Sequence, residues 1–451
     1  MSTTAIGLII VGVLLGLMAL GVPVAFALGL TSLFAIAFFL EPEQMEFFGR
    51  FTFDSVNSFT LLAIPLFILM GSIFGRSKAS VDLFDTAHMW LHRVRGALAM
   101  SSVVASALFA ALSGSSAATA AAIGRVAIPQ MRRHGYKTTI STGAVVAGGT
   151  LGILIPPSVT LILYGIAAEE SIGQLFLGGV VPGIVLTLMF CAWVFIASLK
   201  AKDNPAADVE IPAGSDLTRR VLETEKTHWA ERIKALIKII PFILLIVLVL
   251  MSLYLGYATP SEAAAVGAVV ALILVILTYR SLTLPKFVDM LLGATRESTM
   301  VMMIVAFSAV LGTVMSFLSI PQDLAIAIDD LEVNRWIVML VINLLLLVLG
   351  LFLPPVAIIL MVTPVIYPII TELQFDPIWF GIIMSVNMEM GLITPPVGLN
   401  LYVVKGIAPD IPLRDILVGS IPYVIIIGFS IVLFSIFPQL VLALPQALYG
   451  L

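Results

Sequence analysis

The sequence predicts an all-α, polytopic membrane protein made of two inverted repeats, with about ten spans, two re-entrant hairpins and a broken helix in each half. Three observations lead there. Hydrophobic residues make up 60% of the 451 positions and charged residues only 11%, with mean hydropathy +1.13; so little charge cannot cover a water-soluble globule of this size. Two apolar segments are interrupted alike, at Gly148-Gly-Thr-Leu-Gly-Ile-Leu-Ile-Pro-Pro-Ser158 and at Met388-Glu-Met-Gly-Leu-Ile-Thr-Pro-Pro-Val-Gly398. Their Pro-Pro pairs begin at Pro156 and Pro395, so one shift of 239 positions relates the halves.

Proline lacks an N–H and clashes with the preceding turn, so each helix must open at its Pro-Pro pair. In lipid, opened backbone is tolerated only where protein buries it or it lines a polar cavity. Paired breaks at corresponding places in two halves are the best sequence pointer to a transporter's binding site.

Residues 5–40 are almost unbroken apolar sequence, interrupted at Gly21-Val-Pro23. About 36 residues span roughly 54 Å as helix, enough for two crossings and a turn. Without a basic leader region or cleavage site, residues 5–20 read as a retained span. A polar interval from Glu41 to Asn57 precedes a third span at 59–75. Residues 76–96 are amphipathic and carry Arg76, Lys78, Arg93 and Arg95, as expected of an arm along the membrane surface.

Two short apolar stretches, 97–112 and 116–131, then meet at Ser113-Gly-Ser-Ser116. Each falls short of a span of about 20 residues, and both outer ends are basic. A segment with the same charge signature at both ends most simply enters and leaves on one side, as a re-entrant hairpin. The alternative is two ordinary helices packed through small residues. The broken segment 139–168 crosses and 175–199 returns. The hydrophilic stretch 200–238 holds Lys200, Lys202, Arg219, Arg220, Lys226, Arg232, Lys234 and Lys238. The positive-inside rule places it in the cytoplasm together with 125–137. Its Asp203-Asn-Pro-Ala-Ala run reads as a linker. The chain thus divides into a first repeat (1–200), a cytoplasmic linker (201–238) and a second repeat (239–451).

The second half follows the same plan. Spans at 239–258 and 262–279 meet at Thr259-Pro-Ser-Glu262, a helix start with Thr as cap, Pro at N1 and Glu at N3. A span at 298–318, an acidic interval from Asp323 to Glu332, and a short pair (336–351 and 356–371) meeting at Phe352-Leu-Pro-Pro355 follow. The broken segment 376–404 and an apolar tail to about 445 complete it. Charge inverts the repeat: the loop 125–137 holds Arg125, Arg132, Arg133 and Lys137, whereas its partner 364–376 has no Lys or Arg, only Glu372 and Asp376. Threading the spans puts the first hairpin on the cytoplasmic side, the second on the periplasmic side and the amino terminus outside. Inverted repeats with paired broken helices describe an alternating-access secondary transporter.

Other classes find little support. Cys191 is the only cysteine, so no intrachain disulfide forms. His88, His92, His134 and His228 form no cluster, and His88 with His92 lacks further metal ligands. A channel is disfavoured, because inverted broken repeats serve alternating access. No triad spacing, phosphate loop or concentrated basic face points to an enzyme or a nucleic-acid binder.

Several motifs in order now carry a resemblance: Ser113-Gly-Ser-Ser-Ala117, Gly152-Ile-Leu-Ile-Pro-Pro-Ser158, Leu175-Phe-Leu-Gly-Gly-Val-Val-Pro-Gly183 and Gly391-Leu-Ile-Thr-Pro-Pro-Val-Gly-Leu-Asn400, with Leu62-Ala-Ile-Pro-Leu-Phe67 and Thr259-Pro-Ser-Glu-Ala263. Through nearly its whole length the chain resembles the large membrane subunit, of DctM or SiaM type, of tripartite ATP-independent periplasmic (TRAP) transporters. The resemblance implies a sodium-driven symporter of organic acids such as C4-dicarboxylates or sialic acid in a bacterial inner membrane. It implies a small four-helix membrane subunit and a periplasmic solute-binding protein as partners, and an elevator-type transport domain moving against a scaffold. A stand-alone sodium- or proton-coupled dicarboxylate or ion carrier of the same superfamily is the alternative. No cofactor is expected beyond sodium as coupling ion.

Sodium needs five or six oxygens free of helix hydrogen bonds, which opened helices supply as carbonyls, while half-helix N-termini favour an anion. The expected sodium ligands are Ser113, Ser115 and Ser116 facing Gly152 and Ile155, and in the second half Gly350, Gly391, Thr394 and Val397. Equally, Gly and Ser can simply let helices approach. Thr160, Asn387 and Asn400 are the candidates for substrate contact; each can also be a buried group satisfied by backbone. Glu389 is an intramembrane acid, expensive unless paired or hydrated, suited to tuning cation affinity, coupling a proton, forming a salt bridge or facing a cavity. No arginine falls in the expected centre.

Overall fold

The computed structural model describes residues 2–200, 229–279, 283–329 and 333–450, and among these no strand occurs. Ten helices precede residue 201: α1 (Thr3–Ala19), α2 (Val24–Phe39), α3 (Met45–Val56), α4 (Ala63–Gly75), α5 (Ala79–Leu91), α6 (Ala97–Ser113), α7 (Ser116–Arg133), α8 (Thr138–Thr150), α9 (Val159–Ala167) and α10 (Ile172–Lys200). Among the described residues beyond it ten more follow: α11 (Trp229–Tyr254), α12 (Pro260–Tyr279), α13 (Leu284–Phe317), α14 (Ile320–Asp329), α15 (Arg335–Gly350), α16 (Pro355–Glu372), α17 (Pro377–Leu392), α18 (Leu399–Ile407), α19 (Leu413–Ile436) and α20 (Gln439–Tyr449). Helices α7 and α16 begin 239 positions apart, and so do α8 and α17.

Local chemistry accounts for the boundaries that matter. Gly114 (φ +59°) closes α6, and Ser115 accepts from the Ala118 N–H to open α7. A left-handed residue followed by a hydroxyl cap reverses the chain in two positions. At Thr259 the expected capping box forms: its N–H donates to Glu262 Oε2 at 2.8 Å, and the Glu262 N–H donates to Thr259 Oγ1 at 3.3 Å. Asp376 caps α17 through the Trp379 N–H, with Pro377 at N1. Each broken segment stops near its glycine and resumes after the Pro-Pro pair, between α8 and α9 and between α17 and α18.

Several expectations are corrected. Among the described residues six helices (α10, α11, α12, α13, α16 and α19) are each long and apolar enough to cross a membrane, and α3 with the segment Phe59–Gly75 forms a bent pair with a 58° angle. Ten spans are reached only by adding shorter helices and broken segments. The polar interval 41–57 is mostly the helix α3, where Phe47, Phe48, Phe51 and Phe53 alternate with Glu46, Arg50 and Asp54. None of its residues is buried, although Phe48 stacks on Phe307 at 6.3 Å. The span expected at 298–318 starts at Leu284, because Lys286, Asp289, Arg296 and Glu297 are carried on helix rather than loop. The acidic interval is α14 up to Asp329, with 330–332 outside the described residues. Arg125, Arg132 and Arg133 belong to α7, not to a loop. The span expected from 239 begins at Trp229, whose ring lies 5.2 Å beneath the Arg232 guanidinium. The Asp203-Asn-Pro-Ala-Ala linker lies outside the described residues.

The opposite orientation of the halves that the charge pattern predicts is directly testable. With Cys191 replaced by serine, Lys137→Cys and Glu372→Cys, both at exposed positions, should react with a membrane-impermeant maleimide from opposite sides of the membrane. Reaction from one side alone refutes the inversion.

Candidate functional site

The hairpin α6–α7 and the first break meet backbone to backbone. A Cβ added at Gly152 would lie 2.6 Å from the Ser115 carbonyl oxygen and 2.9 Å from the Ser116 nitrogen. Glycine is what lets the opened helix touch the hairpin tip. The second half repeats this with different partners: a Cβ at Gly391 would lie 2.8 Å from Cα, C and O of Gly350, at the end of α15. The Val397 N–H donates to the Leu351 carbonyl at 3.2 Å, tying the second break to its hairpin.

Of the first sodium set, Ser113, Ser115, Ser116 and Gly152 come together. Ser113 Oγ lies 2.8 Å from Thr119 Oγ1 and donates to Ser115 O at 3.4 Å. Ser115 serves as the α7 cap. Ile155 is half-buried, with its side chain over Gly183. Of the second set, Gly350 and Gly391 touch, and the Thr394 hydroxyl donates to the Met390 carbonyl at 2.6 Å, leaving its lone pairs for another partner. Val397 is exposed.

The substrate candidates separate. Thr160 lines the cavity between the hairpin tips. Asn400 is fully buried and bound within the protein: its Nδ2 donates to Ser116 Oγ at 2.8 Å and to Val146 O at 3.3 Å, and Ser116 Oγ donates to its Oδ1 at 3.1 Å. Asn387 donates to the carbonyl and Oδ1 of Asn343 at 2.9 and 3.0 Å. Neither amide lines the cavity; both fasten one helix to another. Glu389 forms no salt bridge among the described residues. It is fully buried, with Oε2 accepting from Thr150 Oγ1 at 3.5 Å and Oε1 unpartnered. Thr150 and Glu389 are 239 positions apart, so the two breaks touch at equivalent positions.

A cavity of about 1170 Å³ opens beside these tips, lined by Ser113, Ser115 and Thr160, by Pro354 and Pro355 of the other hairpin, and by α4 and α13. Its wall carries Arg76, Arg125, Lys286, Arg296 and Glu297, with Arg76 paired to Asp289. The expectation of a centre without arginine is therefore corrected. Sequence reasoning placed Arg125 in a loop and left 284–297 unassigned; the signal available was Arg296-Glu297 inside a run of helix-forming apolar residues. The wall carries more cationic than anionic side chains, a balance that favours an anion. No group of three or more metal-ligating His, Cys, Asp or Glu residues occurs among the described residues.

An all-helical membrane chain in which two interrupted helices meet two hairpin tips beside one cavity has the architecture of a membrane transporter. Solved structures with this fold include the YdaH transporter of Alcanivorax borkumensis (TM-score 0.57, covering 89% of this chain and 90% of that one) and MtrF of Neisseria gonorrhoeae (0.60, 88% and 85%). At 14% identity these show the fold alone. Residues 11–440 match the family described as tripartite ATP-independent periplasmic transporter, DctM component, and the chain belongs to that family. It is 38% identical to the C4-dicarboxylate TRAP transporter large permease protein DctM of Pseudomonas aeruginosa, over 93% of this chain and 94% of that one. It is 30% identical to the sialic acid large permease SiaM of Vibrio cholerae over 97% of each. It is 34% identical to the isethionate permease DctMQ of Oleidesulfovibrio alaskensis, over 87% of this chain and 59% of that protein. The relatives are transporter permeases rather than enzymes.

Proposed function

We propose that the chain is the large permease of a sodium-driven TRAP symporter that imports an organic acid across a bacterial inner membrane. A separate small four-helix subunit and a periplasmic binding protein complete the system. The observation that carries the sodium reading is the paired backbone contact, Gly152 on Ser115 and Gly391 on Gly350, which gathers carbonyl oxygens at two opened helices. The organic-acid reading is supported by the names of the relatives and by the cationic wall of the cavity. Arg76, at the end of α4, and Lys286, in the first turn of α13, lie at helix ends that the positive-inside rule assigns to the cytoplasm, which supports a cavity opening inward. Alternating exposure by an elevator movement of hairpins and broken helices against α4 and α13 follows from two equivalent repeats around one site.

In proteoliposomes, uptake of a C4-dicarboxylate, sialic acid or isethionate panel should require an inward sodium gradient, the small subunit and the loaded binding protein. Equal uptake without the binding protein and the small subunit would favour the stand-alone carrier.

Thr394 offers a test of the second sodium site. Thr394→Val keeps shape while removing the hydroxyl, and Pro395 and Pro396 continue to hold the turn open. Loss of one partly buried polar ligand costs about 1–3 kcal/mol, or roughly 5- to 150-fold. The expected result is a half-saturation for sodium raised by that factor with normal membrane insertion. Wild-type sodium dependence in the inserted variant removes this hydroxyl from the site.

A further inference from the structure

Away from the transport cavity, the joint between α5 and α11 buries a positive charge that no acid balances. Arg232, in the first turn of α11, is 7% exposed, and among the described residues no ion pair joins it to a carboxylate. Glu231, next to it in sequence, is exposed and lies about 100° away around the helix. The Arg232 guanidinium rests instead on two rings. Its Nη2 lies 3.2 Å from His92 Nε2, and its Cζ lies 5.2 Å from the centre of the Trp229 ring. His92 Nδ1 stands 2.8 Å from the Met89 carbonyl oxygen, which can only accept, so Nδ1 donates there and Nε2 is left to accept from Arg232. Neither ring supplies a negative charge. Arg232 Nε has no partner, and neither has His88 Nδ1 one turn earlier on α5.

A charge held out of water is costly unless it is paired. An anion from outside the described residues is therefore expected at Arg232, and the surroundings say of which kind. The joint lies on the side that the positive-inside rule assigns to the cytoplasm, where α11 enters its membrane-spanning stretch. Trp90 and Trp229 meet edge to face at 6.5 Å and are 45% and 68% exposed, as in the aromatic belts that lie among lipid headgroups. Arg93 and Arg95, in the turn after α5, are exposed and add positive charge. Below Arg232 an exposed apolar track runs down α11 through Ile233, Ile237, Ile240 and Leu244. From Ile233 to Leu244 the helix rises roughly 16 Å, about one leaflet of a hydrocarbon core of about 30 Å.

We infer that the α5–α11 joint is a binding site for the phosphate of an anionic phospholipid of the inner leaflet. The Arg232 Nε–H and the terminal nitrogens of its guanidinium form a fork that fits a phosphate. The two tryptophans flank the headgroup, and the acyl chains follow the α11 track. Trp229 covers the guanidinium from the solvent side and, being largely exposed, can turn aside to uncover Nε. Basic pockets between helices on the cytoplasmic side suit phospholipid headgroups in this way. Helix α5 lies between α4 and the first hairpin, and Thr86 Oγ1 donates to the Ala235 carbonyl at 3.3 Å across the same joint. A lipid seated there braces this arm against α11. The inference needs only that the chain spans a membrane and is independent of sodium and of the transported substrate.

The test uses the full permease with its small subunit in phosphatidylcholine vesicles. A minor fraction of the lipid is brominated phosphatidylglycerol or, for comparison, brominated phosphatidylcholine. Bromine quenches nearby tryptophan, and the difference between the protein and its Trp229→Phe variant isolates Trp229. Brominated phosphatidylglycerol should quench Trp229 at a lipid fraction roughly fivefold lower than brominated phosphatidylcholine. Salt should weaken this preference little, because a buried pair is poorly screened. Arg232→Gln should abolish the preference, whereas Lys234→Gln, exposed on the same helix, should leave most of it. Arg232→Lys keeps the charge without the fork and should lose part of it; it is the second variant, should the glutamine protein fail to insert. Equal quenching of Trp229 by the two lipids overturns the site. So does equal loss in Lys234→Gln and Arg232→Gln, which would mean a diffuse attraction. Recovery of Trp229 emission on adding inorganic phosphate also overturns it, by making the ligand a free anion rather than a lipid.

Discussion

Replacing Gly152 with alanine is expected to reduce sodium-driven uptake by at least about 100-fold while leaving membrane insertion intact. Alanine in helix gains about 0.5–1 kcal/mol over glycine in backbone entropy. Against that stands a Cβ placed 2.6 Å from Ser115 O, 2.7 Å from Ser115 C and 2.9 Å from Ser116 N. Overpacking of this kind costs about 1–3 kcal/mol or more, and here every near neighbour is backbone, which cannot rotate aside. The hairpin tip must retreat by several tenths of an ångström. Metal-ligand distances hold to within about 0.2 Å, so sodium binding at the proposed site is expected to be lost before the fold is. Gly12→Ala is the control, since nothing lies within 4 Å of the added atom. Uptake by Gly152→Ala equal to that of Gly12→Ala would show that the tip and the break need not touch.

Asn400→Leu should lower the unfolding temperature of the purified complex by a few degrees and raise the half-saturation for sodium by about tenfold or more. Asn400 links the first hairpin to α8 and α18, through Ser116 Oγ and the Val146 carbonyl. Gly149 makes the space: a Cβ there would stand 3.1 Å from Asn400 Nδ2 and 2.7 Å from Ala120 Cβ. Leucine fills similar volume but leaves the Ser116 hydroxyl buried without its partner, at about 1–3 kcal/mol. The Val146 carbonyl loses less, because it sits within α8 and keeps its helical position. A double-mutant cycle separates this bond from general packing damage. Ser116→Ala should add little in the Asn400→Leu background, with coupling of about 1–3 kcal/mol. Additive effects would mean that the two side chains do not act together.

Features that depend on a few neighbouring residues were legible in the chain itself. The breaks at Pro156 and Pro395, the hairpin turn at Ser113-Gly-Ser-Ser116 and the capping box at Thr259 each arise from backbone chemistry within about five positions, and each appears where that chemistry places it. The shift of 239 was legible because both halves repeat that chemistry in the same order. Charged helix was less so. Residues 284–297 carry Lys286, Asp289, Arg296 and Glu297 on one continuous helix, and a reading by hydropathy began the span only where the charges ended. What no local pattern could decide was which polar groups would find partners. Asn400 reaches Ser116 across 284 positions, and Asn387 reaches Asn343 across 44; both were equally suited to a substrate until packing supplied a neighbour. Likewise Arg125 and Arg296 become walls of one cavity only when the hairpin is set against the scaffold. Local sequence determines where a helix must open, because proline acts on its own turn; the tertiary structure decides what the opening faces, because burial removes water and leaves each polar atom to whichever distant segment the packing brings within reach.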